Sequence, residues 1–269
     1  MGVVNVTPDS FSDGATLGTM SNSHFRVSVD SALARAEQMV NAGADIIDVG
    51  GESTRPGADP VSVTEELQRV IPVIEAIRDK LDTAVSVDTS SPAVMTEACK
   101  CGADLINDIR ALRKEGAVTA AADSGAAVCL MHTLGEPKVM QQAVHYDNVV
   151  DEVMAFLKER VQTTISAGIP REKLLVDPGF GFGKSLQHNY QLLRELRRFT
   201  SLELPILVGI SRKSMIGRVV GRPADQRLAG SIAATVWALQ NGADIIRTHD
   251  VAETVDIIRI HRAMAGDFN

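Results

Sequence analysis

The 269-residue sequence has only three cysteines, no long apolar run and no basic excess, and each shortage removes a class of protein. Cys99, Cys101 and Cys129 are odd in number and lack Cys-x-x-Cys spacing. Free thiols in a reducing compartment suit them better than a structural zinc site. No apolar stretch approaches the ~18 residues that would suggest a membrane helix. The N-terminus has no basic segment ahead of an apolar one. A soluble, cytoplasmic protein is expected. The net charge of −7 and a pI near 5.4 argue against nucleic acid or an anionic membrane as the main partner. No linker or charge run divides the chain, so one domain over residues 1–269 is the economical reading.

What is present is a repeat. Residues 41–49 read Asn-Ala-Gly-Ala-Asp-Ile-Ile-Asp-Val, and the pattern returns at 100–108, 124–132 and 241–249. In each copy a glycine closes a helix, a short apolar strand follows and a polar residue ends it. At ~30 residues per unit, Gly43 to Gly102 fits two βα units and Gly125 to Gly242 about four. Strands are predicted at 3–7, 46–49, 84–88, 105–109, 126–132, 173–177, 206–210 and 245–249, alternating with helices. A polar loop runs from Pro8 to about Phe25, helix 29–41 follows, helix 64–81 opens at Thr64, and Ser91 with Pro92 starts the next. A long helix covers 147–167, and a closing one reaches Met264. Alternation of this kind predicts parallel strands with right-handed crossovers, an α/β chain folded as a (β/α)8 TIM barrel. The first strand begins almost at Met1, so a leading hairpin under the barrel is absent from this sequence and a shortened form is suspected.

Asn5, Asp48, Asp88, Asn107, His132, Asp177 and His249 all end predicted strands, on the rim where such barrels build their chemistry. Asn and Asp are poor strand residues, so their recurrence points to a site rather than to folding. Each has a blander reading: Asp177 as a turn former, Asp88 as a helix cap, Asn5 as a brace, His132 as a satisfied rim histidine. Their coincidence on one rim favours function. Gly209 to Ser214 follows the seventh strand, and a lysine at a helix start opposes the dipole, so Lys213 is not there for stability. With Ser211, Ser214, Arg247 and His249 it could hold a phosphate, against the alternative of a solvated basic helix start. Arg55 and Arg212 extend that anionic-ligand cluster. The run Gly-Phe-Gly-Phe-Gly-Lys-Ser at 179–185 ends like a phosphate-binding loop, but Pro178 stands where its first glycine belongs. Its two phenylalanines read instead as a flexible wall that stacks a flat substrate. Carboxylates and amides together suit a heterocycle with N–H and C=O edges.

These stretches resemble a known family. Asn-Val-Thr-Pro-Asp-Ser-Phe-Ser-Asp-Gly at 5–14, Gly-Gly-Glu-Ser-Thr-Arg-Pro-Gly at 50–57, Ser-Val-Asp-Thr at 86–89, Asn-Asp-Ile-Arg at 107–110, Asp-Pro-Gly-Phe-Gly-Phe-Gly-Lys at 177–184, 209–214 and Arg-Thr-His at 247–249 are similar, in order, to bacterial dihydropteroate synthases of folate biosynthesis. The resemblance implies condensation of 6-hydroxymethyl-7,8-dihydropterin diphosphate with p-aminobenzoate, releasing pyrophosphate by dissociative substitution. It implies that Asp88, Asn107, Asp177 and Lys213 bind the pterin, with Ile109, Met131 and Phe182 lining the pocket and Phe180, Gly181 and Gly209 beside it. It further implies that Asn5 helps hold Mg²⁺ on the diphosphate, with Arg247 and His249 on the same group. Thr54, Arg55, Pro56, Ser211, Arg212 and Ser214 would lie near the diphosphate and p-aminobenzoate. Catalytic roles fall to Asp88, Asp177, Lys213, Arg247 and His249. A homodimer and a sulfonamide target are expected. The rival readings are a pterin-binding methyltransferase barrel, which would need a corrinoid partner module, and a non-catalytic pterin-binding protein.

Overall fold

The computed structural model describes residues 1–7, 17–21, 24–53, 60–135 and 144–267. Thr54, Arg55 and Pro56 lie outside them. Six strands form a parallel sheet in the order β1 (Gly2–Asn5), β4 (Ile46–Gly50), β5 (Ala84–Asp88), β6 (Leu105–Asp108), β7 (Ala127–Met131) and β8 (Leu174–Asp177). A parallel pair, β9 (Leu207–Val208) and β10 (Ile245–Ile246), continues it. Single parallel bridges, Val176 to Ile206 and Gly2 to Thr248, join the pair to β8 and β1, so the eight strands close into the expected (β/α)8 barrel.

The long polar loop of the sequence reading contains an antiparallel hairpin, β2 (Gly18–Ser21) with β3 (His24–Val27). No tight-turn dipeptide marks it, which is why pattern reading passes over it. The last two strands are shorter than predicted because the backbone turns at Gly209 to Arg212, where Arg212 adopts φ 57°. Amide contacts nevertheless run past the ladder, from Arg247 N to Val208 O at 2.9 Å and from Thr248 N to Met1 O at 3.0 Å.

The helices are α1 (Val29–Asn41), α2 (Val63–Lys80), α3 (Pro92–Lys100), α4 (Ala117–Ser124), α5 (Val149–Ser166), α6 (Leu186–Arg194), α7 (Ser214–Val220), α8 (Leu228–Gln240) and α9 (Val251–Met264). Helix α2 begins earlier than the predicted Thr64: the Ser62 hydroxyl caps it, accepting from Glu65 N at 3.2 Å. Ser91 precedes Pro92 as expected, yet its hydroxyl does not cap α3; its own amide donates to Thr89 Oγ1 instead. The repeat glycines Gly43, Gly102, Gly125 and Gly242 all have positive φ, which lets each helix end reverse into the next strand. From Gly43 to Gly102 there are two βα units, as the spacing predicts, but Gly125 to Gly242 holds three, not four. The 3₁₀ turn Leu196–Leu202 after α6 and the insertion of α7 ahead of α8 account for the excess length.

Two apolar regions follow from the strand period of two. Alternate residues such as Val49, Val87, Ile106, Val128 and Val176 face the helices in one large core. The other parity fills the base of the barrel with Leu105, Cys129 and Leu207, flanked by Ala127, Leu175 and Ile245. Two residues further along those strands come Asn107, Met131, Gly209, Asp177 and Arg247. The site residues are therefore the continuation of the barrel's inward face.

Candidate active site

Arg247 stands at the centre of this polar layer. Its Nε donates to Asp48 Oδ2 at 2.6 Å and its Nη2 to Asp88 Oδ2 at 2.9 Å. Asp48 is wholly buried and also accepts from Asn107 Nδ2 at 3.2 Å. Burial disfavours the charge on Arg247, but Asp48 and Asp88 more than offset it and hold its pKa above the ordinary value. Asp88 is pushed up to about 7 by burial, with Arg247 pulling the other way and Asp48 adding to the rise. One edge of the guanidinium is thus fixed by two carboxylates, and Nη1 has no hydrogen-bond partner among the described residues. Asn107 spends an N–H on Asp48 and keeps its oxygen for another partner.

Across the barrel, Asp177 ends β8, beside Met131 in register on β7. Its Oδ1 accepts from Gly179 N at 2.7 Å. Burial raises its pKa, while Lys213 and the Gly179 amide oppose the rise. Lys213 donates from Nζ to Phe180 O at 2.5 Å and lies 4.7 Å from the centroid of the Phe182 ring. Burial lowers it to about 8 against the pull of Asp177. Gly209 lies beneath both cations: a Cβ there would come within 3.9 Å of Lys213 Nζ and 3.7 Å of Arg247 Cβ. Phe180 is fully buried in the outer core and presents only its carbonyl to Lys213. The expected wall of two stacking rings is therefore one ring, Phe182, because only alternate positions of the loop face the barrel mouth.

At the ends of β9 and β10, His249 Nδ1 lies 3.1 Å from Ser211 Oγ, which also accepts from His249 N at 3.2 Å. Lys213 precedes α7 and Ser214 begins it, with the Ser214 side exposed. Arg212 turns away, with Nε donating to Asp250 Oδ2 at 3.0 Å and Nη2 pairing with Oδ1 of the same carboxylate. Among the charges expected to face an anion, Arg247 and Lys213 thus point inward and Arg212 is bound to Asp250. Ile109 and Met131 are buried at the rim. Asn5 ends β1, and its Oδ1 would lie 3.3 Å from a Cβ on Gly50, with Asp88 Oδ2 at 3.7 Å from the same point.

Two residues of the site have no assigned role in the sequence reading, Asp48, which it places on the rim, and Lys184. Asp48 was visible as a rim carboxylate, and its period-two relation to Asn107 and Arg247 could have marked it as their common anchor. Lys184 was set aside with the failed phosphate-loop motif, and its apolar surroundings give no sign of a buried cation.

The pterin-binding enzyme family model matches residues 1–249. Dihydropteroate synthase of Escherichia coli K12 is 55% identical over 263 residues, spanning 98% of this chain and 90% of that protein. The structure resembles Yersinia pestis dihydropteroate synthase with a sulfonamide drug complex at a TM-score of 0.93 and 51% identity, covering 99% of this chain and 94% of that one. It also resembles Xanthomonas albilineans dihydropteroate synthase with 4-aminobenzoic acid at a TM-score of 0.89 and 49% identity, covering 98% and 92%. Shared motifs, inward-facing rim and near full-length identity agree: the chain belongs to the pterin-binding enzymes and, within them, to the dihydropteroate synthases, which are transferases.

Proposed function

We propose that this chain condenses 6-hydroxymethyl-7,8-dihydropterin diphosphate with p-aminobenzoate, giving 7,8-dihydropteroate and pyrophosphate by a dissociative substitution at the pterin methylene. The observation that carries the reading is the convergence of Asp88, Asn107, Asp177 and Lys213 on one barrel mouth, beside an Arg247 whose Nη1 has no partner among the described residues. Carboxylates accept from the amino and N–H edge of a pterin, the Asn107 oxygen accepts a further N–H, and Lys213 donates to a ring acceptor. Phe182 covers the ring face, and Ile109 and Met131 fill around it. Phe180, Gly181 and Gly209 bound the same space.

In the reaction the bond from the methylene carbon to the diphosphate oxygen breaks and its electron pair leaves with pyrophosphate. The pterin ring spreads the positive charge, which the nearby Asp177 carboxylate favours. The p-aminobenzoate amine then forms the C–N bond and releases a proton. Arg247, His249, Ser211 and Ser214 would bind the departing oxygens, where fixed donors count most. By the family's matched positions, Thr54, Arg55, Pro56 and Arg212 complete the diphosphate and aminobenzoate surroundings. Exclusion of water protects the cation from capture.

Among the described residues no group of three or more His, Cys, Asp or Glu could cage a metal. Mg²⁺ needs no such cage, because it binds through few protein oxygens plus phosphates. Gly50 keeps open the space between Asn5 Oδ1 and Asp88, so Asn5 would hold Mg²⁺, whose role when bound is to neutralise diphosphate charge. The reading also includes a cytoplasmic homodimer; exposed Trp237, Ile260 and Met264 on α8 and α9 support a second copy covering that side.

Calorimetric titration with dihydropterin diphosphate tests the substrate, and a secondary deuterium isotope effect at the methylene tests the substitution. Tight binding and a normal isotope effect are expected. No binding contradicts the substrate, and an effect near unity contradicts the dissociative step.

A further inference from the structure

Lys184 is a buried cation that hydrogen-bonds no carboxylate among the described residues. Its Nζ donates to Gly179 O at 2.8 Å, Phe182 O at 3.0 Å and His132 O at 3.2 Å, and lies 2.9 Å from His132 Nδ1. An ammonium has three N–H donors and no lone pair, so toward these four atoms it only donates, with one N–H shared between two of them; His132 Nδ1 is then an acceptor and its ring proton sits on Nε2. Burial works against that charge and lowers the lysine's pKa well below its ordinary value, while Asp177 favours it. His132 is in turn held down to about 2, by burial first and by Lys184 second.

Two of these acceptors, the carbonyls of Gly179 and Phe182, belong to the glycine loop at 179–183. A Cβ on Gly179 would stand 1.9 Å from His132 O, and one on Gly183 would stand 2.6 Å from Leu134 Cβ. The loop is therefore pressed against the chain that follows β7. Other bonds tie its remaining groups: Gly181 N to Asn189 Oδ1 at 2.6 Å, and the Tyr146 hydroxyl to Gly183 O at 2.9 Å. The groups the loop turns the other way are those used in the site: the Gly179 amide on Asp177, the Phe180 carbonyl on Lys213 and the Phe182 ring beneath it.

We propose that Lys184 is a positioning residue for pterin recognition, its ammonium gathering the carbonyls of His132, Gly179 and Phe182 so that Phe182, Lys213 and Asp177 are set before substrate arrives. The inference rests on the pterin reading above. Preorganisation of this kind removes an ordering cost from binding. It acts on the pterin side only, because none of Lys184's contacts reaches the Ser211 and His249 side.

The test compares unmodified protein with Lys184→Met, which keeps the stem and loses the donors. Dihydropterin diphosphate affinity is expected to fall by roughly tenfold or more, the equivalent of one good hydrogen bond, while KM for p-aminobenzoate stays within about twofold. In a double-mutant cycle with Phe182→Ala the losses should be strongly non-additive, because the ring is one of the groups Lys184 sets. A folded Lys184→Met with normal pterin affinity, or additive losses, overturns the proposal. Should the variant fail to fold, amide exchange in the unmodified, ligand-free protein decides: slow exchange at Gly181 and Phe182 supports a preset loop, and fast exchange overturns it. Failure of the unmodified protein to bind the pterin would strike the functional reading itself, and this inference with it.

Discussion

Arg247 Nε lies 2.6 Å from Asp48 Oδ2, an ion pair between the eighth and second strands of the barrel in which the carboxylate is wholly buried. The pair fixes the guanidinium before any ligand binds, and the same carboxylate orients Asn107. Removing Asp48 deprives Arg247 Nε and Asn107 Nδ2 of their acceptor but leaves Asp88 on Nη2, so the loss approaches without exceeding about 3–5 kcal/mol, that of a fully broken buried pair. Asp48→Ala should therefore lower unfolding stability by that order and reduce kcat/KM by more than either Arg247 or Asn107 neighbours outside the pair would. Urea unfolding and initial rates on the same preparation check both; an unchanged midpoint would show that the pair is not formed.

Asp177→Asn keeps shape and replaces one acceptor oxygen with a donor. Loss of a charged hydrogen bond of about 1.5–3 kcal/mol predicts pterin binding weaker by roughly 10- to 100-fold. Calorimetry on the folded variant checks this, and near-normal affinity would remove Asp177 from the pterin site.

The pH dependence follows from two opposed groups. Asp88 is raised to about 7 and Lys213 lowered to about 8, both by burial first. If ionised Asp88 and protonated Lys213 are the competent forms, kcat/KM rises through about 7 and falls through about 8, a narrow bell. Lys213→Met should abolish the alkaline limb and lower the maximum. The folded Asp88 value exceeds the ordinary 3.8, so its contribution to stability is complete below 3.8 and is lost as pH rises through about 7. A flat profile between pH 6 and 9, scanned with the unmodified protein, would contradict the assignment.

At Gly179, φ is +72° and a Cβ would meet His132 O at 1.9 Å, backbone against backbone. Gly179→Ala should destabilise the fold by about 3 kcal/mol or more, combining strain with a clash that cannot be relieved by a side chain moving. Thermal melts check it; a melting temperature within a degree of the unmodified protein would mean the loop is not pressed against β7's exit.

Chelation gives the last of these tests. If Asn5 holds Mg²⁺ on the diphosphate as proposed, EDTA should sharply reduce turnover and diphosphate-dependent binding, while binding of 6-hydroxymethylpterin without phosphates is unaffected. Equal loss of both would place the metal elsewhere.

Much of this was legible in the residues. The glycine-strand-polar repeat foretold the parallel barrel, since each copy needs a positive φ at Gly43, Gly102, Gly125 or Gly242 and an inward side chain two residues past the apolar layer. Asp88, Asn107, Asp177 and Arg247 followed from that same period, and Lys213 from its place at a helix start, against the dipole. What stayed hidden depends on pairings between distant strands or on backbone folding back. Asp48 meets Arg247 across 199 residues of sequence. Lys184 finds three backbone carbonyls beside the His132 ring, and backbone acceptors leave no pattern in a sequence. The β2 and β3 hairpin forms without a glycine turn to announce it. Arg212 reads as a free cation until Asp250 is seen beside it.

The proposed condensation needs both substrates. Pyrophosphate release from dihydropterin diphosphate, measured with and without p-aminobenzoate in the presence of Mg²⁺, tests it most directly. Release that depends on p-aminobenzoate and stops when Mg²⁺ is removed is the expected result. Binding of the pterin diphosphate without any release, or no binding at all, would contradict it.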